Sequence, residues 1–274
     1  MTGANIACGF HAGDPGIMRR TCATAVANGV AIGAQVSYRD LHGFGRRYVA
    51  VPGPELTDDL LYQVGALAVF ARLAGGRVDY FRAHGALYNV AATDTEHARA
   101  IVAAVVQFDP ALPLLCQADT EVWRLGEEAG LRLVSEAFVD RAYTADGLLQ
   151  PRSEPGAVLE DADEAAARAV RMVTEGSVTA VDGSEVAVRA EALVVHSDTA
   201  GAVAIARRAR AALEAAARAV RMVTEGSVTA VDGSEVAIRA EALVVHSDTA
   251  GAVAIARATR AALEAADVEL VPLR

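Results

Sequence analysis

Short apolar runs, each followed at once by a glycine-punctuated polar cluster, constrain this chain more than any other feature. Ile6-Ala7-Cys8 runs into Gly9-Phe10-His11-Ala12-Gly13-Asp14. Val30 to Ala34 leads into Gln35 to Asp40 and then His42-Gly43-Phe44-Gly45-Arg46-Arg47. Val78 to Phe81 delivers Arg82-Ala83-His84-Gly85-Ala86-Leu87-Tyr88-Asn89, and Leu131 to Val134 delivers Glu136 to Tyr143. Leu112 to Cys116 is a further apolar run. Between them, residues 15–28, 54–74, 93–106 and 120–129 carry apolar side chains at helical spacing. Strand, polar loop and helix in repetition predict a parallel α/β fold, above all a (β/α) barrel, with every polar cluster at the carboxyl end of a strand.

Those clusters supply the candidate chemistry. His11 sits between glycines at a strand end and can move a proton near neutral pH or ligate a metal. Asp14 precedes Pro15 and is placed either to cap the next helix or to act as a carboxylate beside His11. His84 repeats the pattern of a histidine before a glycine, with Arg82 two positions earlier and so on the same side of an extended chain. Arg46-Arg47 reads as an anion site or as a solvated charge pair. Glu136, Asp140, Arg141 and Arg152 read as a third site segment or as an internal ion-pair network. Cys8 belongs to an apolar run, which favours a buried small side chain over a covalent nucleophile.

The last third of the chain repeats itself. Residues 164–216 and 214–266 align at an offset of 50 and differ only at Val188/Ile238, Arg208/Ala258 and Ala209/Thr259. Each copy reads helix, hairpin around Asp182-Gly183 or Asp232-Gly233, strand, helix, and each strand ends in His-Ser-Asp (His196 to Asp198, His246 to Asp248). Repeat arrays normally diverge and need about three units, so two near-identical copies point instead to a recent tandem duplication or to an assembly error in the sequence. A closed barrel has room for one final strand-helix unit. The expected organisation is therefore one barrel-like domain over 1–216 and a duplicate of its last unit over 217–274, with the first copy in the native position.

Composition excludes several classes of function. Net charge is −10, from 25 basic and 35 acidic residues, which argues against nucleic acid as a partner. No apolar stretch approaches the roughly 20 residues that span a bilayer. The N-terminus lacks the basic and apolar regions of a signal peptide, and Cys8, Cys22 and Cys116 form no Cys-x-x-Cys pair. A cytoplasmic protein with reduced thiols is expected. There is no phosphate loop of the Gly-x-x-x-x-Gly-Lys-Ser/Thr type and no Gly-x-Ser-x-Gly elbow.

The chain resembles the LamB/YcsF family, whose characterised members are the A-type component of a prokaryotic 5-oxoprolinase. The resemblance rests on Asn5 to Asp14, Gly43 to Arg47, His84 to Asn89, Glu136 to Tyr143, Asp146-Gly147, Pro151-Arg152 and the late His-Ser-Asp, and it spans about residues 4–216 in order. It implies an irregular (β/α) barrel of the glycoside hydrolase/deacetylase type. It also implies ATP-dependent opening of the 5-oxoproline lactam to glutamate, with B and C subunits as partners and a divalent ion such as Mg as a further candidate. On that analogy His11, Asp14, His84, Glu136 and Asp140 are the candidate catalytic residues. Arg46, Arg82, Tyr88, Asn89, Arg141, Arg152, His196 and Asp198 are candidates for binding substrate or phosphate, because a transferring phosphoryl group needs positive charge.

The chain departs from the family pattern in four places. Met1-Thr2-Gly3 stands where the family's acidic first strand is expected, so the barrel should lack that strand and expose an edge. Gln35-Val36 replaces a common His-Pro, which removes one potential ligand. Arg82-Ala83 replaces Lys-Pro, and the late His-Gly-Asp is His-Ser-Asp in both copies. Two other readings compete: a metal-dependent deacetylase or amidase, and an inactive truncated binding subunit.

Overall fold

A computed structural model describes residues 1–229, 233–237, 252–266 and 268. It divides into two compact units, Met1–Glu136 and Ala137–Arg274.

The first unit carries β1 (Gly3–Ala7), α1 (Pro15–Ala27), β2 (Ala31–Val36), α2 (Gly53–Leu73), β3 (Tyr80–Ala83), α3 (Gly85–Val90), α4 (Thr95–Phe108), β4 (Leu114–Cys116) and α5 (Glu121–Glu128). β5 (Leu133–Phe138) runs across its boundary. All five strands pair in parallel, in the order β1-β2-β3-β4-β5. The expected α/β architecture is present, and β1 is an edge strand among the described residues. Asp14 caps α1 as its place before Pro15 suggested, and Asp94 and Thr120 likewise accept a backbone N–H of the turn that follows them. α3 is an addition. The segment after His84 reads as a loop in the sequence, but six residues coil into a helix with His84 at its extended N-cap position.

Two close approaches explain glycines in this unit. A Cβ at Gly33 would lie 2.0 Å from the Tyr80 ring, whose hydroxyl donates to Asn5 Oδ1 at 2.8 Å. A Cβ at Gly85, φ +62°, would lie 2.3 Å from the Gly45 carbonyl oxygen. The core is aliphatic, with Ile32, Leu56, Leu60, Leu67, Leu87 and Ile101 wholly enclosed.

The second unit holds α6 (Ala162–Thr174), β6 (Ser177–Thr179), β7 (Glu185–Ala187), β8 (Ala192–Val194), α7 (Ala202–Thr224), β9 (Ser227–Thr229), β10 (Glu235–Ala237) and α8 (Ala252–Ala265). Val139 N–H, just beyond β5, donates to Val194 O of β8 at 3.2 Å. The hairpins β6–β7 and β9–β10 are antiparallel with equivalent registers. The strand at 243–245 and His246-Ser247-Asp248 of the second copy lie outside the described residues.

α7 fuses the last helix of one copy to the first helix of the next. Buried alanines from equivalent positions line the helix packing: Ala166 and Ala216, Ala212 and Ala262. One of the three differences between the copies follows from this packing. Arg208 pairs with Asp163 at 2.7 Å. Fifty residues on, Asp163 corresponds to Leu213, so an arginine at 258 would meet no carboxylate there. Ala258 occupies that position instead and is buried among the helices. No helix among the described residues is long and apolar enough to cross a membrane.

Candidate functional site

In the first unit the loops after β1, β2 and β3 bring two histidines together. His11 and His84 stack with ring centroids 4.2 Å apart and planes 14° from parallel, and the Phe44 ring meets both edge-on. Both imidazoles are buried. His84 Nε2 lies 2.9 Å from the Phe44 carbonyl oxygen and Nδ1 lies 3.1 Å from Gln35 Nε2. His11 Nδ1 is buried with no hydrogen-bond partner among the described residues. Burial, reinforced by the Arg82 guanidinium, pushes His11 down to about 4. Burial, then the neighbouring His11, pushes His84 down to about 3. Both rings are therefore neutral at pH 7.

The backbone around the pair is held by short polar side chains. Ser37 Oγ donates to His84 O at 3.0 Å, and Gln63 brackets Ser37 by accepting its N–H and donating to its carbonyl. Asp40, buried, accepts from the backbone N–H groups of Gly43 and Arg47 and from the Arg47 guanidinium, which holds its carboxyl down at about 2. This clamp shapes the loop that sets Phe44 at φ +55° and Gly45 at φ +68°. A side chain at Gly45 would lie 2.5 Å from Ser37 Oγ and 2.8 Å from His11 Cβ. The Arg46-Arg47 pair thus divides: Arg47 ties down the loop, while Arg46 is exposed with its guanidinium 5.0 Å from the Phe44 ring centre.

Beneath the pair, Arg82 and Glu136 form a fully buried ion pair, Arg82 Nε donating to both carboxylate oxygens at 2.7 and 2.9 Å. The Arg82 guanidinium also lies 5.0 Å from the Tyr88 ring centre and donates to Ala83 O. Beside Gly9 and Phe10 a cavity of about 730 Å³ opens, walled by the Phe10–Tyr62 stack at 5.3 Å, with Arg39 over Phe10 and ion-paired to Asp59.

The second unit has its own histidine centre. Asp140, wholly buried, accepts from the His196 backbone N–H at 2.9 Å, faces His196 Nδ1 at 3.0 Å and accepts from Thr199 Oγ at 2.6 Å. Burial raises this carboxyl, but the bonds from His196 and Thr199 outweigh it and hold the group below the ordinary carboxylate range. The His196 ring stacks on Phe138 at 5.6 Å. Arg141 spans the loop by donating to the carbonyls of Ala157 and Gln150.

Comparison with known proteins now bears on the reading. The LamB/YcsF family matches residues 1–218 and again 213–274. The chain belongs to this family. A 5-oxoprolinase A-type subunit from Streptomyces coelicolor is 55% identical over 213 residues, 78% of this chain and 85% of that one. A protein of the same name from Kocuria rhizophila is 53% identical over 213 residues, 78% and 84% of the two chains. The crystal structure of a lactam utilization protein from Thermus thermophilus superposes with a TM-score of 0.74 at 48% identity, covering 79% of this chain and 87% of that one.

Within this LamB/YcsF chain the residues singled out from sequence fall into distinct surroundings. His11 and His84 are brought together; Arg82, Glu136 and Tyr88 form the buried layer of the same unit. Arg82 and Glu136 are engaged with each other rather than open to a ligand. Asp14 is exposed and caps α1 through Ile17 N–H at 2.7 Å, and Asn89 is exposed on α3. In the second unit Asp140 and His196 are joined, Arg141 braces a loop, Arg152 is half-buried and Asp198 is exposed. Cys8 is buried and pushed up to about 12 by desolvation, which keeps it a thiol; Cys22 and Cys116 are also free and buried. Gln35, Ser37, Asp40 and Gln63 were not singled out for the site. Asp40 four residues before Phe44, with Gly43 and Arg47 around it, carried a local loop-clamp signal. Gln63 lies on the buried face of α2, where only the fold reveals its partner.

Among the described residues no three His, Cys, Asp or Glu side chains converge as metal ligands.

Proposed function

We propose that this chain opens the lactam ring of 5-oxoproline to L-glutamate in an ATP-dependent reaction, as the A-type component of an assembly with B- and C-type subunits. The observation that carries this reading is the stacked, neutral His11–His84 pair at the strand ends, with an exposed guanidinium, Arg46, beside it. The 5-oxoprolinase relatives and the lactam utilization protein support the substrate class.

A lactam carbonyl is unreactive because its nitrogen donates into it. Transfer of the γ-phosphoryl group of ATP to the carbonyl oxygen removes that resistance and releases ADP. Water then adds at the carbon, and the neutral imidazole of His11 takes its proton. The ring C–N bond breaks as that proton passes to the leaving nitrogen, and a second water releases phosphate from the acyl phosphate. Arg46 supplies positive charge to the phosphoryl oxygens. Burial, with the Arg82 guanidinium adding to it, keeps both imidazoles unprotonated and leaves His11 able to accept. Dependence on ATP and the free thiols suit a cytoplasmic setting.

The test is reconstitution. The purified chain, combined with B- and C-type subunits, ATP and 5-oxoproline, is expected to release glutamate and ADP together, and none of the parts alone should do so. Absence of glutamate from the full combination, with all three chains folded, overturns the reading.

A further inference from the structure

We propose that Gln35 is a positioning residue that locks His84 in the Nε2–H tautomer, leaving His11 as the imidazole of the pair that exchanges protons with the reactant. The role assigned to His11 rests on the reading above; the tautomer lock stands on geometry alone.

The argument starts from the Phe44 carbonyl. A carbonyl oxygen can only accept, and it lies 2.9 Å from His84 Nε2, so that nitrogen carries the hydrogen. Nδ1 of a neutral ring is then a bare lone pair. At 3.1 Å from it stands the amide nitrogen of Gln35, which can only donate. With the amide turned over, its oxygen would face the lone pair, so the hydrogen-bond network admits one orientation. Both nitrogens of His84 are committed. Its backbone is fixed as well, by His84 N–H to Val36 O at 2.8 Å and by Ser37 Oγ on its carbonyl.

His11 differs. It lies face to face with His84, so neither ring can bond the other through its nitrogens, and its Nδ1 has no protein partner among the described residues. The charged groups facing the pair, Arg82 from β3 and Arg46 from the loop before it, both oppose an added proton on His84. A ring that can neither turn nor take a proton is a stacking platform. It orients His11 in the way that a partner behind a ligand orients it. An amide nitrogen is what this tautomer needs at Nδ1.

The test is a nitrogen-15 NMR spectrum of the full chain with labelled histidine, assigned with His84→Asn and His11→Asn. Wild type should show His84 with a protonated Nε2 and a bare Nδ1 throughout pH 6–8. Gln35→Leu should give mixed tautomers at His84 and, in the reconstituted assembly, about a 10-fold lower kcat at unchanged KM. Gln35→Glu presents an acceptor to Nδ1, so it should protonate the ring and move the acid limb of the pH profile upward. A wild-type spectrum with hydrogen on Nδ1 overturns the proposal, as does a Gln35→Leu spectrum identical to wild type. If the tautomer is as stated but no variant or wild type turns over lactam, the lock stands and the catalytic reading falls.

Discussion

The two histidine centres of this molecule are built on opposite electrostatics. In the first unit His11 and His84 are packed among neutral donors and acceptors with a guanidinium close by, and burial keeps them uncharged. In the second unit His196 meets a buried carboxylate, Asp140, backed by Thr199. A cation near an imidazole makes it a weak base that releases its proton readily. A carboxylate bonded to an imidazole fixes a ring and a strand end in place. The difference teaches that a histidine after a strand is not one kind of site: its neighbours on other segments decide its charge and its hydrogen bonds.

The largest test of that contrast is His11→Asn against His196→Asn in the reconstituted reaction. Loss of a general base should lower kcat by about 10²–10⁴-fold in the first, while the second should act through stability and leave kcat of the folded fraction within a few-fold. Equal losses would erase the distinction. Next, Arg82→Met strands Glu136 in the core and should cost about 3–5 kcal/mol by urea unfolding, whereas Arg82→Met with Glu136→Leu should recover most of it.

Acid should separate the centres too. Below about pH 6.5 unfolded histidines take up protons that the folded pair refuses, His11 until about pH 4 and His84 until about pH 3. Stability therefore falls as pH drops through that window, by about 3 kcal/mol for His11 alone. The depressed carboxyl of Asp140 adds stability above the ordinary carboxylate pKa of 3.8 and loses it only at lower pH. Urea midpoints between pH 7.5 and 4.5 should slope downward in wild type and less so in His11→Asn. A flat wild-type profile would break the assignment of a buried neutral pair. The smallest effect is Asp140→Asn, which trades an acceptor for an amide facing Thr199 and His196. It should cost about 1–3 kcal/mol, read as faster amide exchange at His196 and lower thermal stability.

Much of this was legible in the residues themselves. Apolar runs ending in glycine and polar clusters predicted parallel strands and the ends that carry chemistry, because strand and helix periodicities are local. Asp14, just before Pro15, shows its cap in sequence for the same reason. What stayed hidden depended on partners far along the chain. Glu136 lies 54 residues from Arg82, and nothing local shows that the two neutralise each other. Asp40 and Arg47 are near in sequence, yet only the folded loop shows that Arg47 pairs with Asp40 while Arg46 lies over the Phe44 ring.

The amino-acid order alone determined the α/β class, the duplicated unit and the identity of the histidines. Tertiary structure alone decided their states: that His11 and His84 stack, that Gln35 faces one of them, and that His196 answers to Asp140. The physical reason is range. Secondary structure follows from neighbours a few residues apart, whereas a protonation state is set by whatever charge, donor or void the fold places within a few ångströms.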